Sequence, residues 1–222
     1  KPVEELYDLE YDPDEVQNLA ASPSHGAVLN RFGEAHKNWV METRDLGFLP
    51  EGEIHQRAGD RTPYEMGQSD QDYPLAQIFE MAQLAAQRDM ETLPQLVEAL
   101  GAEDSAVRYW GALGLLIRGK EAVVSQAEAL GKALKDESPY VRAVAAEALG
   151  TFTDDSMPQV LETLVASSNM VEDGVFPAMY HLNALQMLGD KAVPVAGDIA
   201  KLPNEGPKEL GRFGGYVARL LE

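Results

Sequence analysis

The residues of this sequence that could do chemistry are a few histidines and a large excess of carboxylates. The histidines are His25, His36, His55 and His181. His25 and His36 share one face of a predicted helix, but no third ligand is spaced to complete a zinc site. We therefore expect chance surface histidines, not a metal centre.

Two runs of acids are candidates for calcium binding: the segment Asp12–Glu15 and the pair Asp154 and Asp155. Neither run supplies the alternating ligands and central glycine of a calcium loop. Acids in turns and helix caps are the better interpretation. Because carboxylates are plentiful throughout, no acid/base dyad can be singled out.

The remaining candidates are aromatic and glycine residues. Trp39 and Trp110 each lie on an apolar helical stripe, so core packing is favoured over a sugar-binding platform. A glycine-rich cluster near the C-terminus resembles a phosphate loop only superficially, since no strand precedes it, and it contains Gly211, Phe213, Gly214, Gly215 and Tyr216. The sequence therefore assigns no catalytic, cofactor-binding or metal-ligating residue.

Charge and composition exclude several function classes. The net charge is −19, of which residues 1–72 carry −10 and the rest of the chain carries −9. Such a field repels phosphate backbones, so nucleic-acid binding is not expected. The absence of cysteine excludes disulfides, thiolate metal sites and a cysteine nucleophile. No apolar run is long enough for a membrane span.

The second half of the chain contains an internal repeat. Asp136–Arg142 has the form Asp-x-x-Pro-x-Val-Arg and leads into an alanine-rich helix that ends near Gly150. The Val-Arg pair recurs one period earlier at Val107, and Tyr180-His181 occupies the same register one period later. This segment resembles the second helix of a HEAT repeat, which implies a solenoid of stacked helix pairs.

Each of these second helices has a predicted partner upstream, so residues 74–222 are expected to form four helix pairs and a capping helix, Leu75–Gln87. The fourth pair covers Ala192–Leu202 and Leu210–Leu221. Glycines able to end these helices are Gly101, Gly150 and Gly189. Arg142 is expected to reach back to the turn at Asp136. Because Asp104 with Arg108 keeps this pattern only in part, and His181 replaces the arginine, a continuous ladder is doubtful.

Residues 1–72 differ in kind. Helical periodicity is confined to Pro23–Glu42, whose apolar face includes Phe32 and Trp39. Glu5–Leu9 alternates as a short strand would, and residues 48–72 show no period. We expect this arm to be largely irregular, with one amphipathic helix. Phe32 and Trp39 should be buried against the solenoid, and residues 48–72 should run along it as extended chain.

The arm also carries a family resemblance. The motif Glu5-Leu6-Tyr7-Asp8-Leu9, followed by Asp12-Pro13-x-Glu15 and Asn18-Leu19-Ala20, is similar to the closing motif of bacterial sulfatases, including relatives of N-sulfoglucosamine sulfohydrolase. The resemblance implies a parent enzyme with a formylglycine and a calcium ion. Formylglycine arises in a Cys/Ser-x-Pro-Ser/Ala-Arg context. The nearest string, Ala21-Ser22-Pro23-Ser24-His25, has alanine and histidine at the two decisive positions.

Together these observations predict an all-α fold: a HEAT-like superhelix (73–222) preceded by a sulfatase-like tail and linker (1–72). The predicted function is the non-catalytic C-terminal region of a sulfatase acting on sulfated glycans, with the solenoid serving positioning or protein association. The expected partners are the parent's own catalytic domain and a protein bound to the solenoid. The resemblance alone implies a periplasmic or secreted location. The alternative is a free-standing interaction module unrelated to catalysis.

Overall fold

A computed structural model of the chain describes residues 2–203 and 215–220. Within these residues the regular structure is entirely helical and contains no β-strand. The predicted all-α class is therefore confirmed. None of the described helices is long and apolar enough to cross a membrane.

The N-terminal arm contains three α-helices, which are α1 (Gly26–Thr43), α2 (Glu51–Ala58) and α3 (Pro63–Gly67). The prediction of extended chain over residues 48–72 is thus wrong. Helix α3 begins at a capping box, in which Thr62 accepts from the Glu65 amide and Glu65 accepts from the Thr62 amide. Helix α2 ends at Gly59, which has a φ of 58°. Helices of one or two turns are too short to show a period, which is why the sequence pattern missed them.

The rest of the chain is a stack of paired helices. These are α4 (Leu75–Ala86), α5 (Leu93–Ala99), α6 (Ser105–Arg118), α7 (Lys120–Ser125), α8 (Ala127–Ala133), α9 (Pro139–Phe152), α10 (Met157–Ala166), α11 (Val175–Leu188), α12 (Ala196–Ile199) and α13 (Tyr216–Leu220). Helices α4, α6, α9 and α11 pack side by side and form an inner layer. Helices α5, α7 with α8, and α10 form an outer layer, each packed on an inner helix.

The predicted capping helix and the first three helix pairs are confirmed. The prediction for the ends of the second helices is partly wrong. Gly189 does end α11, with a φ of 54°, whereas Gly150 lies inside α9. A Cβ at position 150 would be 2.7 Å from Leu188 Cδ2, so glycine lets α9 pack closely on α11 without displacing that side chain.

The fourth pair is described only in part. It begins with a 3₁₀ segment, Gly189–Val195, followed by α12, and α13 packs on α11. Residues 204–214 lie outside the described part of the chain, and most of the glycine-rich cluster, including Gly211, Phe213 and Gly214, falls there. Gly215, with a φ of 76°, immediately precedes α13.

Glu5–Leu9 is not a strand, which contradicts the prediction. The Leu6 amide donates to Asn18 Oδ1 at 2.9 Å, and the Leu19 amide donates to the Leu6 carbonyl at 2.7 Å. Asn18 Nδ2 also donates to the Glu4 carbonyl at 2.9 Å. The alternating side chains therefore belong to a compact loop, in which one asparagine side chain satisfies backbone groups that a sheet would otherwise pair.

The expected burial of the α1 face is also wrong. Phe32 is 53% exposed and Trp39 is 55% exposed. Val40 is the one buried residue of α1. A helical period identifies side chains that share a face, but it does not identify what covers that face.

The arm is held in place by a small hydrophobic core of its own. This core joins Val40, Leu49 and Met66 of the arm to Phe79 and other residues of α4, α5 and α6. Tyr73 is fully buried, and its hydroxyl donates to the Asp45 carbonyl. Because these contacts span both sides of residue 72, the arm and the solenoid share packing. The boundary at residues 72 and 73 stays a prediction.

Candidate interaction surface

The inner layer of the stack is partly covered by α2. Gly52 of α2 lies directly against Tyr140 and Phe176, on α9 and α11 respectively, and a Cβ at position 52 would overlap the hydroxyl oxygen of Tyr140. His55 stacks on Phe176 with ring centroids 5.3 Å apart. The arm helix thus crosses the inner layer, and glycine permits the close approach.

We predict that Gly52→Ala destabilises the protein by about 2 kcal/mol, because the added methyl must displace Tyr140 or lift α2. Gly33→Ala is the matched control, since a Cβ in the middle of α1 meets nothing within 4 Å. The control should be neutral or stabilising by up to about 1 kcal/mol. Denaturant melts measure both changes, and equal effects at the two positions would contradict the close approach.

Arginines link successive layers of the stack in a ladder, and Arg57 of α2 makes the first rung. Its guanidinium donates to both carboxylate oxygens of Asp104, at 2.8 and 3.0 Å, and to Glu53 Oε1 at 2.5 Å. It also donates to the Asp72 carbonyl at 2.8 Å. The Asp104 carboxylate additionally caps α6 by accepting from the Ala106 amide. Forked arginine–carboxylate pairs of this kind fix geometry as well as energy.

Arg108 and Arg142 make the second and third rungs. Arg108 donates to both oxygens of the Asp136 carboxylate, at 2.7 and 2.8 Å, and to the carbonyls of the turn before its own helix. Arg142 donates to the Asp136 carbonyl at 2.7 Å and to Ser167 Oγ at 3.1 Å. The expectation that Arg142 reaches back to its turn is confirmed. The doubt about a continuous ladder is also confirmed, because Arg108 reaches an aspartate in the next layer whereas Arg142 reaches only Ser167.

The Arg142 rung gives a stability prediction. Arg142→Ala should cost on the order of 1 to 3 kcal/mol, because the carbonyls of Asp136 and Glu137 lose a charged donor. Exposed pairs are worth less than about 1 kcal/mol, so Lys132→Ala, which breaks a fully exposed pair with Glu128, is the matched control. A loss within error of the control would mean that the third rung is solvated.

The ladder ends at His181, which occupies the arginine position of the third helix pair. This histidine is 0% exposed, so the prediction of a surface residue is wrong here. Nδ1 lies 2.8 Å from the Pro177 carbonyl, while Nε2 has no partner among the described residues. Burial lowers the pKa of His181 to about 4, with a further lowering by Arg142. The neutral imidazole therefore fits where a charged arginine would need an anion.

Three tyrosines line the inner layer beneath α2. Tyr140 and Tyr180 are in edge contact with centroids 4.9 Å apart, and Tyr109 is 6.5 Å from Tyr180. Burial raises the pKa of Tyr109 and of Tyr140 above the ordinary range, so both stay neutral. Glu147, on α9, has a pKa that burial raises as well. The three tyrosines therefore form an uncharged aromatic cluster.

A polar cavity of about 370 Å³ lies between α2 and the turns that precede α6 and α9. It is lined by Glu53, Gln56, Arg57, Glu103, Ser105, Arg108, Glu137 and Ser138. Two buried acceptor atoms in its lining, Glu53 Oε2 and Ser138 Oγ, have no hydrogen-bond partner among the described residues. Glu53 is 3% exposed and Ser138 is 9% exposed. Unsatisfied groups this deeply buried call for an occupant that donates hydrogen bonds.

The other candidate residues do not converge on a site. In the part of the chain that the structure describes, no three His, Cys, Asp or Glu side chains are grouped to hold a metal. Asp12 behaves as a turn residue, since its carboxylate accepts from the Val16 and Gln17 amides. The Asp154 carboxylate instead pairs with Lys191 Nζ at 3.2 Å. Trp110 packs between the two cores and donates to the Phe48 carbonyl at 2.9 Å, as expected of a core residue.

The sequence did not indicate Glu53, Arg57 or Asp104 as a unit. Glu53 and Arg57 are one helical turn apart on α2, but Asp104 lies far along the chain, in the turn before α6. The available signal was the acid–base spacing of one helical turn, which is common on exposed helices.

Comparison with known families agrees with this geometry. The HEAT repeat family matches residues 128–156, which cover α8, α9 and the turn with Asp136 between them. The fold is a HEAT-like solenoid. The matched repeat contains Arg142, and the helix pairs before and after it stack on it in the same way. A comparison with curated proteins finds no match. Solenoids of this kind present an extended inner surface for binding other proteins.

Proposed function

We propose that this chain is the non-catalytic C-terminal region of a sulfatase, in which the solenoid serves positioning or protein association. The observation that carries the first part is the sulfatase-like motif together with the exposed apolar side chains around it. The motif residues Leu6, Asn18 and Leu19 bond to one another, so the motif is one local unit. The HEAT match carries the second part.

The exposed apolar residues of the arm support a partner on this side of the molecule. Several large hydrophobic residues at the start of the chain are more than half exposed, namely Val3, Leu9, Tyr11, Val16, Phe32 and Trp39. Apolar groups collected in one segment mark an interaction site more often than scattered ones do. We propose that the catalytic domain of the parent enzyme packs on these side chains and buries them. In a free-standing interaction module, the alternative, the same side chains would bind a separate protein.

The parent is expected to hydrolyse sulfate esters of glycans with a formylglycine and a calcium ion, in the periplasm or outside the cell. That calcium ion is expected in the parent catalytic domain, and no three His, Cys, Asp or Glu side chains of the described residues are grouped to hold one here. No step of the reaction is therefore assigned to a residue of this chain.

The isolated chain is predicted to hydrolyse no sulfate ester. The reason is chemical: the sequence has no cysteine, and the string Ala21–His25 has alanine where the formylglycine precursor belongs. Purified protein can be assayed with an aryl sulfate and calcium. Turnover that survives further purification would contradict the non-catalytic assignment.

The sulfatase assignment itself is tested by the gene sequence upstream of Lys1, which should encode a Cys/Ser-x-Pro-Ser/Ala-Arg string. The upstream domain, expressed separately, should bind this chain, and Phe32→Ala with Trp39→Ala should weaken binding at least tenfold. Val124→Ala with Met187→Ala is the matched control, since both side chains are exposed on the solenoid. An upstream sequence without the string refutes the sulfatase assignment and leaves the interaction module.

A further inference from the structure

The polar cavity under α2 carries an inference about the partner of the solenoid. Glu53 Oε1 is fully used, since it accepts from Arg57 Nε and Nη2 and from Ser105 Oγ. Glu53 Oε2, on the same carboxylate, faces no donor among the described residues. A buried carboxylate oxygen without a donor is costly, so a molecule that reaches it with an N–H group is favoured.

Ser138 provides a second acceptor in the same cavity. Its amide donates to the Asp136 carboxylate at 2.8 Å, but its hydroxyl makes no hydrogen bond to the described residues and does not cap α9. A serine that begins a helix usually caps it. The hydroxyl oxygen therefore has no donor, but it is covered from solvent, so an occupant reaches it only if the lining side chains move apart.

The arm shows how this surface holds a basic side chain. Asp104 and Ser138 occupy the same position in successive repeats, since each is the N-cap of an inner helix. At the first of these positions, the Asp104 carboxylate accepts from the guanidinium of Arg57. At the second, Ser138 faces the cavity, and an acceptor from α2, Glu53, lies beside it. The position of Ser138 therefore resembles that of Asp104, except that no basic side chain of the described residues is bound there.

The charge around the cavity also favours a cation. The guanidiniums of Arg57 and Arg108 are each paired, with Asp104 and Asp136. Glu103 and Glu137 stand exposed in the lining and make no ion pair among the described residues. In the lining itself, the three carboxylates of Glu53, Glu103 and Glu137 therefore face two guanidiniums. No described trio of ligands fits a metal ion, so a ligand bearing N–H donors matches the site better.

We propose that the cavity binds a lysine or arginine side chain presented by a protein partner of the solenoid. Glu53 Oε2 and Ser138 Oγ are covered from solvent in the unbound chain, so the lining side chains move apart on binding and the basic group then donates to both atoms. Glu103 and Glu137 attract the basic group at the mouth. This inference rests on the proposed association role, and it names the chemistry of the partner. The net charge of −19 increases the rate at which a basic partner arrives.

The test uses three short peptides, acetyl-Gly-Gly-X-Gly-Gly-amide with X as lysine, arginine or norleucine, titrated into the whole chain. Amide shifts measured by nuclear magnetic resonance give the affinity and the location. The lysine or the arginine peptide should bind at least about tenfold more tightly than the norleucine peptide, with shifts at Ser138 and Gln56. Equal binding of all three, or shifts elsewhere only, overturns the proposal.

Variants separate a ligand site from a buried water. Glu103→Gln with Glu137→Gln should weaken the basic peptide about tenfold, whereas Glu121→Gln with Glu172→Gln, which removes the same charge from exposed positions elsewhere, should not. Ser138→Ala should weaken binding about fivefold while the melting temperature is unchanged or higher, because the lost hydroxyl has no intramolecular partner. Unchanged peptide affinity in Ser138→Ala and in the double variant would mean that water fills the cavity.

These measurements are independent of the sulfatase assignment. None of the variants alters residues 3–39, so binding of an upstream catalytic domain should be the same in all of them. If the peptides show no preference for a basic side chain while the upstream domain still binds, only the cavity proposal is overturned. Loss of the upstream association with peptide binding intact overturns the sulfatase assignment alone.

Discussion

Arg57→Ala is expected to lower the free energy of unfolding by about 4 kcal/mol, since removing one partner of a buried ion pair leaves the others uncompensated. Two carboxylates lose their partner at once, those of Glu53 and Asp104, whose side chains are 4% and 17% exposed. The Asp72 carbonyl loses a donor as well. Because Arg57 joins α2 to the start of α6, local opening of α2 should accompany the loss.

Arg61→Ala is the matched control for this measurement. Arg61 lies just beyond the end of α2 and pairs with Asp72, but both side chains are substantially exposed. Exposed pairs contribute under about 1 kcal/mol. Urea unfolding followed by circular dichroism measures both variants, and limited proteolysis reports on α2. If Arg57→Ala costs no more than Arg61→Ala, the first rung of the ladder is solvated.

The solenoid could be predicted from the sequence because its signal is repeated. Val107 with Arg108 and Val141 with Arg142 recur in one register, and each copy strengthens the other. The reach of Arg142 to its own turn follows from this motif. The pairing of Arg108 with Asp136 does not, since it depends on how closely successive inner helices stack.

The arm could not be predicted to the same extent, for two physical reasons. Helix α2 is only about two turns long, and its place is determined by contacts at Gly52 and Arg57 with residues far along the chain. Tertiary contacts of this kind leave no local period. For α1 the period was correct but the inference of burial was wrong, as the exposure of Trp39 shows. Amphipathicity predicts a partner, and the partner need not be in the same chain.

The same separation explains why the cavity was missed. Glu53 lies in the arm, which shows no repeat, and Ser138 lies in the middle of the solenoid, within the repeated segment. The repeat pattern therefore does not link the two residues. Neither residue belongs to a motif that implies chemistry. Their significance arises only from two acceptors that the fold buries without donors.

His181 is expected to make stability fall in acid. Its pKa is about 4 in the folded protein, against about 6.5 for an unperturbed histidine. Between these values the unfolded chain binds a proton that the folded protein does not. The contribution of His181 to the free energy of unfolding therefore rises with pH between these two values, and it is lost as the pH falls through the same range. From pH 8 to pH 4.5, this one group should remove about 2.5 kcal/mol.

His181→Gln isolates that contribution. At pH 8 the variant should be less stable than the wild type, because a fully buried ring is replaced by an imperfect fit. The many carboxylates titrate in both proteins and cancel in the difference between them. That difference should narrow by about 2.5 kcal/mol as the pH falls to 4.5, and can reverse sign. Unfolding curves at four or five pH values measure it. A difference independent of pH would mean that His181 takes up its proton without leaving the core, and that the third helix pair admits water.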